Sequence, residues 1–387
     1  MNKKELELYI HIPFCVKKCS YCDFLSAPAT EQTREAYMAA LFAEIGGRAK
    51  DYSDRTVTSI FIGGGTPSLL SGEQIGQLMD RIREQFAMAQ DAEITMEVNP
   101  GTVSAEKLRN FYTAGINRLS IGMQSAQAEE LKNLGRIHDF EGFCQVYREA
   151  VEAGFTNINV DIMSGLPGQT LASYRDTLEK VLHLEPMPQH ISAYSLIVEE
   201  GTPFAAMAER GELPLPEEET ERAMYEETIE VLAKYGFHRY EISNYARDGY
   251  ECRHNVGYWI RRDYLGFGIG AASLIDNVRF QNEKSLGAYL AHPLESREEE
   301  QTLTVQERME ETMFLGLRLT RGVSCVDFAE QYGRTVEEVY GEVIARNVAD
   351  GLLTVTERKE NQKKDRFLAL TKRGLDLSNY VMAQFLF

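Results

Sequence analysis

The stretch YIHIPFCVKKCSYC, residues 9–22, decides how the chain is organised. Its first part belongs to a β-branched run at 7–12 that predicts the opening strand. Three cysteines follow at once in a C-x3-C-x2-C array, at Cys15, Cys19 and Cys22. Three thiolates can hold three irons of a four-iron, four-sulfur cubane, which leaves the fourth iron without a protein ligand. The spacing therefore predicts a [4Fe-4S] cluster with one open corner.

An open iron is a binding site for a chelating ligand. The amino and carboxylate groups of S-adenosylmethionine (SAM) can chelate it, and the reduced cluster can then pass one electron into the sulfonium group. Homolysis of a carbon–sulfur bond yields a 5′-deoxyadenosyl radical. Two alternatives remain open: a zinc site, which normally has four ligands in a closed structural geometry, and a chance grouping of cysteines.

Composition and charge limit the class of protein. The chain has 387 residues, of which 43% are apolar and 26% charged, as in an ordinary globular protein of more than one domain. A formal net charge of -18 disfavours nonspecific binding to nucleic acid or to an anionic membrane. The sequence has no apolar run of about 18 residues and no signal-peptide core, so we expect a cytoplasmic protein with free thiols.

Strand-like and helix-like stretches alternate through the first half of the chain. Such alternation requires parallel βαβ crossovers. The chemically suggestive residues fall at the carboxyl ends of successive strands, which favours a partial (β/α)6 TIM-like barrel over an open doubly wound sheet. The predicted strands are 7–12, 59–63, 93–98, 118–122, 157–163 and 190–196, and the predicted helices are 33–47, 72–86, 104–114, 140–153, 171–184 and a short one after residue 122.

Two composition changes divide the rest of the chain. The predicted units are a core barrel at 1–235, a barrel-covering segment with a linker at 236–300, and a small C-terminal α+β domain at 301–387. Within the middle segment we expect irregular strands and loops over the site at 239–244 and 264–273.

The last unit has the element order of a winged-helix-like domain, which raises the question of DNA binding. Its charge is nearly balanced, and only Lys359, Lys363 and Lys364 enrich the predicted wing. We therefore expect no nucleic-acid partner.

Four stretches together identify a family. They are YIHIPFC at 9–15, GGGTP at 63–67, EVNP at 97–100 and SIGMQS at 120–125. They resemble the radical SAM family of oxygen-independent coproporphyrinogen III oxidase and its relatives, whose signature is the cysteine array. The similarity covers almost the whole chain and implies a [4Fe-4S] cluster that binds SAM.

The resemblance also implies the SAM-binding residues. Glycines after a strand let backbone groups approach a ligand closely. Glu97 ends the next strand and can bond ribose hydroxyls or the methionine amine, the alternative being a surface or salt-bridged carboxylate. Residues that match Gln124, Arg136 and Asp161 bind a second SAM-like ligand in the family, although ion pairs at the barrel mouth would need the same residue types. The predicted set is Tyr9, Tyr21, Gly64, Gly65, Thr66, Glu97, Gln124, Arg136 and Asp161.

Two departures argue against the oxidase itself. The oxidase signature continues as C-x3-C-x2-C-x-C, whereas Phe24 stands two positions after Cys22. Only 14 residues precede Cys15, so we expect the oxidase's N-terminal extension to be absent. Asp23 and Phe24 resemble instead the branch of heme chaperones, the HemW type.

The segment CRHNVGYW at 252–259 supports that branch, because His-Asn-x-x-Tyr-Trp resembles its characteristic motif. A neutral imidazole is a standard axial ligand for heme iron, which makes His254 the candidate heme ligand. Tyr258 and Trp259 can pack around a porphyrin. The alternatives are a hydrogen-bonded core histidine and ligation by Cys252.

The resemblance implies a chaperone that binds heme and delivers it to apo-hemoproteins, respiratory ones among them. The cluster and SAM would then serve assembly, dimerisation or redox gating, and both transient membrane association and a homodimer are compatible with this function. No catalytic residue is assigned. The alternatives are an oxygen-independent coproporphyrinogen III oxidase, a radical SAM methylase, and an interaction protein with a structural cluster.

Overall fold

Six parallel strands in chain order form the centre of the molecule. The computed structural model describes residues 4–360 and 363–387. The strands pair in the order β1-β2-β3-β4-β5-β6, which is that of a barrel, because a doubly wound sheet reverses its order in the middle. The partial barrel is thereby confirmed. The strands are β1 (Lys4–Ile12), β2 (Arg55–Gly64), β3 (Ala87–Val98), β4 (Arg118–Gln124), β5 (Ile158–Ser164) and β6 (His190–Ser195).

All of the helices predicted between these strands are present. Within the described residues, no helix is both long and apolar enough to cross a membrane. The helices are α1 (Glu31–Arg48), α2 (Gly72–Gln85), α3 (Ala105–Thr113), α4 (Ala128–Leu134), α5 (Phe140–Glu152), α6 (Leu171–Leu182), α7 (Pro203–Glu209) and α8 (Glu218–Lys234).

The two faces of the central strands differ in chemistry. On the outer face, side chains such as Leu8 and Ile60 are fully buried in one apolar cluster with the helices. On the inner face, alternate positions carry polar groups, and Glu7, Ser59 and Glu93 lie side by side on three neighbouring strands. The inside of the barrel is therefore polar.

The sheet continues beyond both edges of the barrel and stays open. We expected residues 264–273 to lie irregularly over the site, but β9 pairs with β1 instead, and none of these residues lines the central cleft. The unpaired edge of β1 explains this position, since its main-chain groups need partners. The added elements are β7 (His238–Arg239) and β8 (Asn244–Ala246) beside β6, then β9 (Tyr264–Phe267), β10 (Ala272–Ile275), β11 (Val278–Asn282) and β12 (Arg297–Thr302), with α9 (Arg253–Trp259) and α10 (Leu286–Ala291).

The C-terminal domain has its own apolar core and a three-stranded sheet. Its elements follow the predicted winged-helix-like order. The side chains of Lys359, Lys363 and Lys364, which we expected to enrich the wing, lie outside the described residues. The elements are α11 (Val305–Gly316), β13 (Val323–Ser324), α12 (Cys325–Tyr332), α13 (Val336–Ala349), β14 (Leu353–Glu360), β15 (Lys363–Leu370), α14 (Lys372–Asp376) and α15 (Ser378–Ala383).

A buried carboxylate joins this domain to the barrel. Glu311 on α11 accepts from Arg261 Nε at 2.8 Å and from Arg279 Nη1 at 2.8 Å. The side chains of Arg261 and Glu311 are only 3% and 7% exposed. Beside this pair, the Arg318 guanidinium lies 4.3 Å from the ring centre of Trp259, at the end of α9. The helix that carries the His-Asn-x-x-Tyr-Trp motif therefore contacts the C-terminal domain.

We expect Glu311→Gln to lower the free energy of unfolding by roughly 3–5 kcal/mol, because it leaves Arg261 buried without its counter-charge. Urea denaturation measures the change. The control is Glu330→Gln, an exposed carboxylate on the same domain, which should change stability by less than about 0.5 kcal/mol. Equal losses of stability in the two variants would contradict a stabilising buried ion pair between the C-terminal domain and the barrel.

Candidate functional site

The three cysteines of the predicted cluster lie at the carboxyl end of β1. Cys15, Cys19 and Cys22 are free thiols, each half-buried, and all three line one cleft of about 570 Å³. Burial raises the pKa of the Cys22 thiol, and the neighbouring Cys19 and Cys15 raise it further. No three metal-ligating side chains in the described ranges are grouped tightly enough for a single ion. A cubane does not need such grouping, since each thiolate binds a different iron, so the donor set fits the cluster.

The loop after β2 holds the cysteine loop through its main chain. Gly65 N donates to Ile12 O at 2.8 Å, and Thr66 N donates to Phe14 O at 2.7 Å. The Thr66 hydroxyl also donates to Cys15 Sγ at 3.5 Å. A Cβ on Gly65 would lie only 2.7 Å from Phe14 O. The requirement for glycine at this position thus comes from packing against the cysteine loop, whereas its predicted contact with SAM stays a prediction.

Glu97 lies inside the cleft rather than on the surface. Its Oε2 accepts from Gly64 N at 3.0 Å, and Gly64 has a φ of +108°, which favours glycine. Burial, with a further contribution from the Asp161 carboxylate, raises the pKa of Glu97 to about 7. The cleft therefore contains two neighbouring acids whose charge is costly without a cationic or hydrogen-bonding ligand.

Of the two predicted tyrosines, Tyr21 lines the cleft and Tyr9 lies behind its lining. Tyr9 does not line the cleft, because its hydroxyl donates to His11 Nδ1 at 3.0 Å. His11 Nε2 in turn donates to the Leu25 carbonyl at 2.9 Å, so this chain fixes the imidazole behind the cysteine loop. Tyr21 lines the cleft beside the cysteines and packs on a small apolar cluster below α4.

Gln124, Arg136 and Asp161 all line the cleft, and their contact with a second SAM-like ligand stays a prediction. Gln124 has a φ of 63°, a left-handed conformation that costs a residue with a Cβ about 1–3 kcal/mol. Its Oε1 and the Nε of Arg136 are buried and have no partner among the described residues. Arg136 Nη2 donates to the Gly122 carbonyl at 2.8 Å, and Nη1 points to Cys19 Sγ at 3.8 Å. Strain and unpartnered atoms in one place indicate a ligand site.

Asp161 is fixed by its own neighbours instead of by an ion pair. Asn159 Nδ2 donates to Asp161 Oδ1 at 2.7 Å, and the Ser120 hydroxyl donates to the same carboxylate at 3.3 Å. Burial raises the pKa of Asp161. The ion pair that we considered as the alternative for these residues is not formed between Arg136 and Asp161.

His254 lies in the interior of the barrel, below the cysteine loops. It is 1% exposed, its Nδ1 bonds the Ser59 hydroxyl at 2.9 Å, and its Nε2 bonds the Tyr258 hydroxyl at 3.0 Å. Burial lowers its pKa to about 3, so the ring is neutral. The geometry matches the hydrogen-bonded core histidine considered from the sequence. Ligation of heme by His254 stays a prediction and requires that one of these two bonds breaks, because a single ring nitrogen binds the iron.

A carboxylate on β3 fixes the start of α9. Glu93 accepts from the backbone N–H groups of Arg253 at 3.1 Å and His254 at 3.2 Å, and from Cys252 Sγ at 3.6 Å. Burial raises the pKa of Cys252 to about 12, so this rival heme ligand is a neutral, enclosed thiol. Asn255 is the residue of the motif that lines the cleft.

Sequence reasoning missed several cleft residues. Arg118, Asn159, Tyr194 and Asn255 all line the cleft. The first three lie on inner-face positions of β4, β5 and β6, so alternation along the predicted strands could have found them. Asn255 comes from a helix far along the chain, and no local pattern indicates its position.

Replacing Gly65 with alanine should displace the cysteine loop, since the new Cβ would meet the Phe14 main chain at 2.7 and 2.8 Å. We expect a clear loss of iron and sulfide after anaerobic reconstitution. The matched control is Gly76→Ala on α2, where no atom lies within 4 Å of the new Cβ. The two variants should differ in iron content, and equal, full iron content would refute the packing argument.

A second expectation concerns Glu7, which is fully buried next to Gly257 of α9. Burial raises its pKa from 4.5 to about 8, despite an Arg262 Nη1 contact at 3.2 Å. Because the folded state holds this proton more tightly than the unfolded state, the stabilising contribution is complete below the unfolded pKa of 4.5 and lost as pH rises through about 8.

Urea denaturation should therefore show that the wild type loses roughly 2–3 kcal/mol between about pH 6 and pH 9 relative to Glu7→Gln, which lacks the ionising group. Glu5→Gln is the control, because Glu5 also contacts Arg262 but is exposed. If the free energies of unfolding of Glu7→Gln and of the wild type change in parallel with pH, a protonated Glu7 carboxyl in the folded state is excluded.

Comparisons with known proteins agree with this arrangement. Residues 9–181 match the model of the radical SAM superfamily, and 303–377 match that of the HemN C-terminal domain. The chain is 39% identical to heme chaperone HemW of Bacillus subtilis over 98% of both chains. It is 36% identical to heme chaperone HemW of Lactococcus lactis over 100% of this chain and 98% of the relative.

A solved structure resembles the whole fold. The coproporphyrinogen III oxidase HemN of Escherichia coli, a radical SAM enzyme, superposes with a TM-score of 0.84 at 28% identity. The match covers 99% of this chain and 90% of the oxidase. The full-length identity to several HemW proteins is higher than the identity to the oxidase. The chain belongs to the HemW family of radical SAM proteins.

Proposed function

We propose that this protein binds heme and delivers it to apo-hemoproteins, and that a [4Fe-4S] cluster on Cys15, Cys19 and Cys22 binds SAM. The observation that carries the proposal is the similarity, over 98% of the chain, to a protein named a heme chaperone. The cysteine loop at the mouth of a polar cleft supports the cluster and its ligand.

Different residues around the cleft would contact different parts of the cluster and of SAM. The Thr66 hydroxyl and the Arg136 guanidinium point at Cys15 and Cys19 and would stabilise negative charge on their sulfurs. Glu97 is suited to the methionine amine, and Asp161 to ribose hydroxyls. With SAM bound, the reduced cluster would supply one electron to its sulfonium group.

The rim of the cleft supports binding of a large apolar ligand. Phe24 is 62% exposed and Ile197 is 68% exposed, and both line the cleft at its opening. Exposed apolar side chains around a cavity are typical of a binding site. Lys17 and Lys18 lie on the same rim and would attract the propionates of a porphyrin.

His254 would ligate heme iron only after α9 moves. One ring nitrogen has to exchange its hydroxyl partner, Ser59 at Nδ1 or Tyr258 at Nε2, for the iron, which makes the buried position a closed state. The contacts of Trp259 with Arg318, and of Arg261 with Glu311, would link that movement to the C-terminal domain.

The alternative function is that of an oxygen-independent coproporphyrinogen III oxidase, which the fold similarity to HemN favours. Against it, Phe24 occupies the position of the oxidase's additional cysteine. The radical SAM methylase has no specific support from the residues of the cleft.

We further propose that the protein acts in the cytoplasm, with respiratory apo-hemoproteins among its clients. Transient membrane contact and a homodimer are part of this proposal. The division of the chain into units at 1–235, 236–300 and 301–387 stays a prediction.

The test supplies anaerobically reconstituted protein, reductant and SAM with either heme or coproporphyrinogen III. We expect heme to be retained and passed to an apo-cytochrome, as followed by absorption spectroscopy, and coproporphyrinogen III to remain intact. Formation of protoporphyrinogen would overturn the chaperone proposal.

Two variants examine His254 in the same assay. His254→Ala should lose heme retention, because the iron ligand is gone. Tyr258→Phe removes only the hydroxyl that occupies Nε2, so it should bind heme at least as fast as the wild type. Full retention by His254→Ala would assign the iron ligand to another residue.

A further inference from the structure

At the floor of the cleft lies a buried guanidinium that, among the described residues, no acceptor contacts through its Nε. Arg118, the first residue of β4, is 1% exposed and among the largest fully buried side chains. Its Nε has no hydrogen-bond partner, and in the described ranges its guanidinium forms no ion pair. A buried donor without an acceptor is unfavourable by roughly 1–3 kcal/mol. The arrangement needs an explanation.

The neighbouring acids do not neutralise Arg118 by contact. Both oxygens of Glu93 are taken by the start of α9, and Asp161 accepts from Asn159 and Ser120. Burial lowers the pKa of Arg118, but the acidic groups around it more than offset this effect, so the guanidinium stays charged. It is kept charged in the interior without a hydrogen-bonded acceptor.

The guanidinium is open to the cleft on one side. Arg118 and Asn255 both line the cleft, on the floor opposite the cysteine loops, and neither residue belongs to the predicted SAM-binding set. A guanidinium fork binds a carboxylate through two parallel hydrogen bonds, and an amide beside it adds a third donor. A carboxylate would give the unpartnered Nε of Arg118 an acceptor.

We propose that Arg118 and Asn255 form a carboxylate-binding subsite at the floor of the cleft. Two ligands of this protein could supply the group. One is a propionate of a tetrapyrrole, an assignment that rests on the proposed heme function. The other is the amino-acid carboxylate of a second sulfonium ligand, because the carboxylate of the first would bind the open iron; this source does not depend on heme.

The first test measures the unliganded protein. Because the Arg118 Nε has no hydrogen-bonded acceptor in the empty site, Arg118→Met should lower the thermal unfolding midpoint less than loss of a fully hydrogen-bonded buried arginine does. The control is Arg48→Met, because the buried Arg48 guanidinium pairs with Glu44 at 2.8 Å, Asn282 at 2.9 Å and Ser296 at 2.9 Å. This control should lower the midpoint. A comparable loss in both variants would make Arg118 a structural charge and overturn the subsite.

The second test compares ligands that differ only in a carboxylate, using reconstituted protein. The pairs are heme with heme dimethyl ester, and SAM with decarboxylated SAM. Arg118→Met should weaken binding of the free acid of one pair by roughly tenfold or more and leave the analogue unchanged. The affected pair identifies the source of the carboxylate. Arg118→Lys, which keeps the charge without the fork, should fall between the wild type and Arg118→Met.

The outcomes separate the subsite from the proposed function. If the wild type binds neither heme nor its ester, the heme function fails, and the sulfonium pair alone decides on Arg118. The subsite is refuted if Arg118→Met leaves all four affinities unchanged. It is also refuted if this substitution weakens binding of the free acid and of its analogue equally. Should Arg118→Met not fold, Arg118→Lys provides the same comparison.

Discussion

Two main-chain hydrogen bonds, from Gly65 to Ile12 and from Thr66 to Phe14, join the loops that follow the first two strands. They depend on the parallel register of β1 and β2, which pairs Ile12 with Gly64, and on the missing side chain at Gly65. Since the cysteines begin one residue after Phe14, these bonds fix the position of Cys15 beneath the Thr66 hydroxyl. The cluster site is thus a consequence of how two neighbouring strands end.

The alternation of side chains along the same strands gives the barrel a polar interior. Its upper part contains Glu97 and Asp161, and its floor contains Arg118, Glu93 and His254. Burial raises the pKa values of Glu97 and Asp161 and lowers the pKa of His254, which favours the neutral forms of these three groups. Such an interior is poorly suited to stability alone, because each unpaired group is unfavourable there. It is suited to ligands that carry charge at both ends.

The six strands, their helices and the cysteine array could be predicted because each depends on residues close together in the sequence. Side-chain alternation predicts strands, amphipathic periodicity predicts helices, and close spacing groups the three cysteines. They did not predict that β9 would pair with β1, or that Glu93 would fix the start of α9, since both contacts join residues far apart in the chain. Tyr9 bonds His11, and Ser59 and Tyr258 occupy both nitrogens of His254, so SAM contact by Tyr9 and heme ligation by His254 stay predictions.

The proposed function depends on an iron with no protein ligand beside Cys15, Cys19 and Cys22, open to SAM. Electron paramagnetic resonance of the reduced, reconstituted protein with and without SAM tests it most directly. Binding of the amino and carboxylate groups at one corner should change the spectrum of a [4Fe-4S] cluster. An identical spectrum at saturating SAM, or no [4Fe-4S] signal at all, would contradict the account.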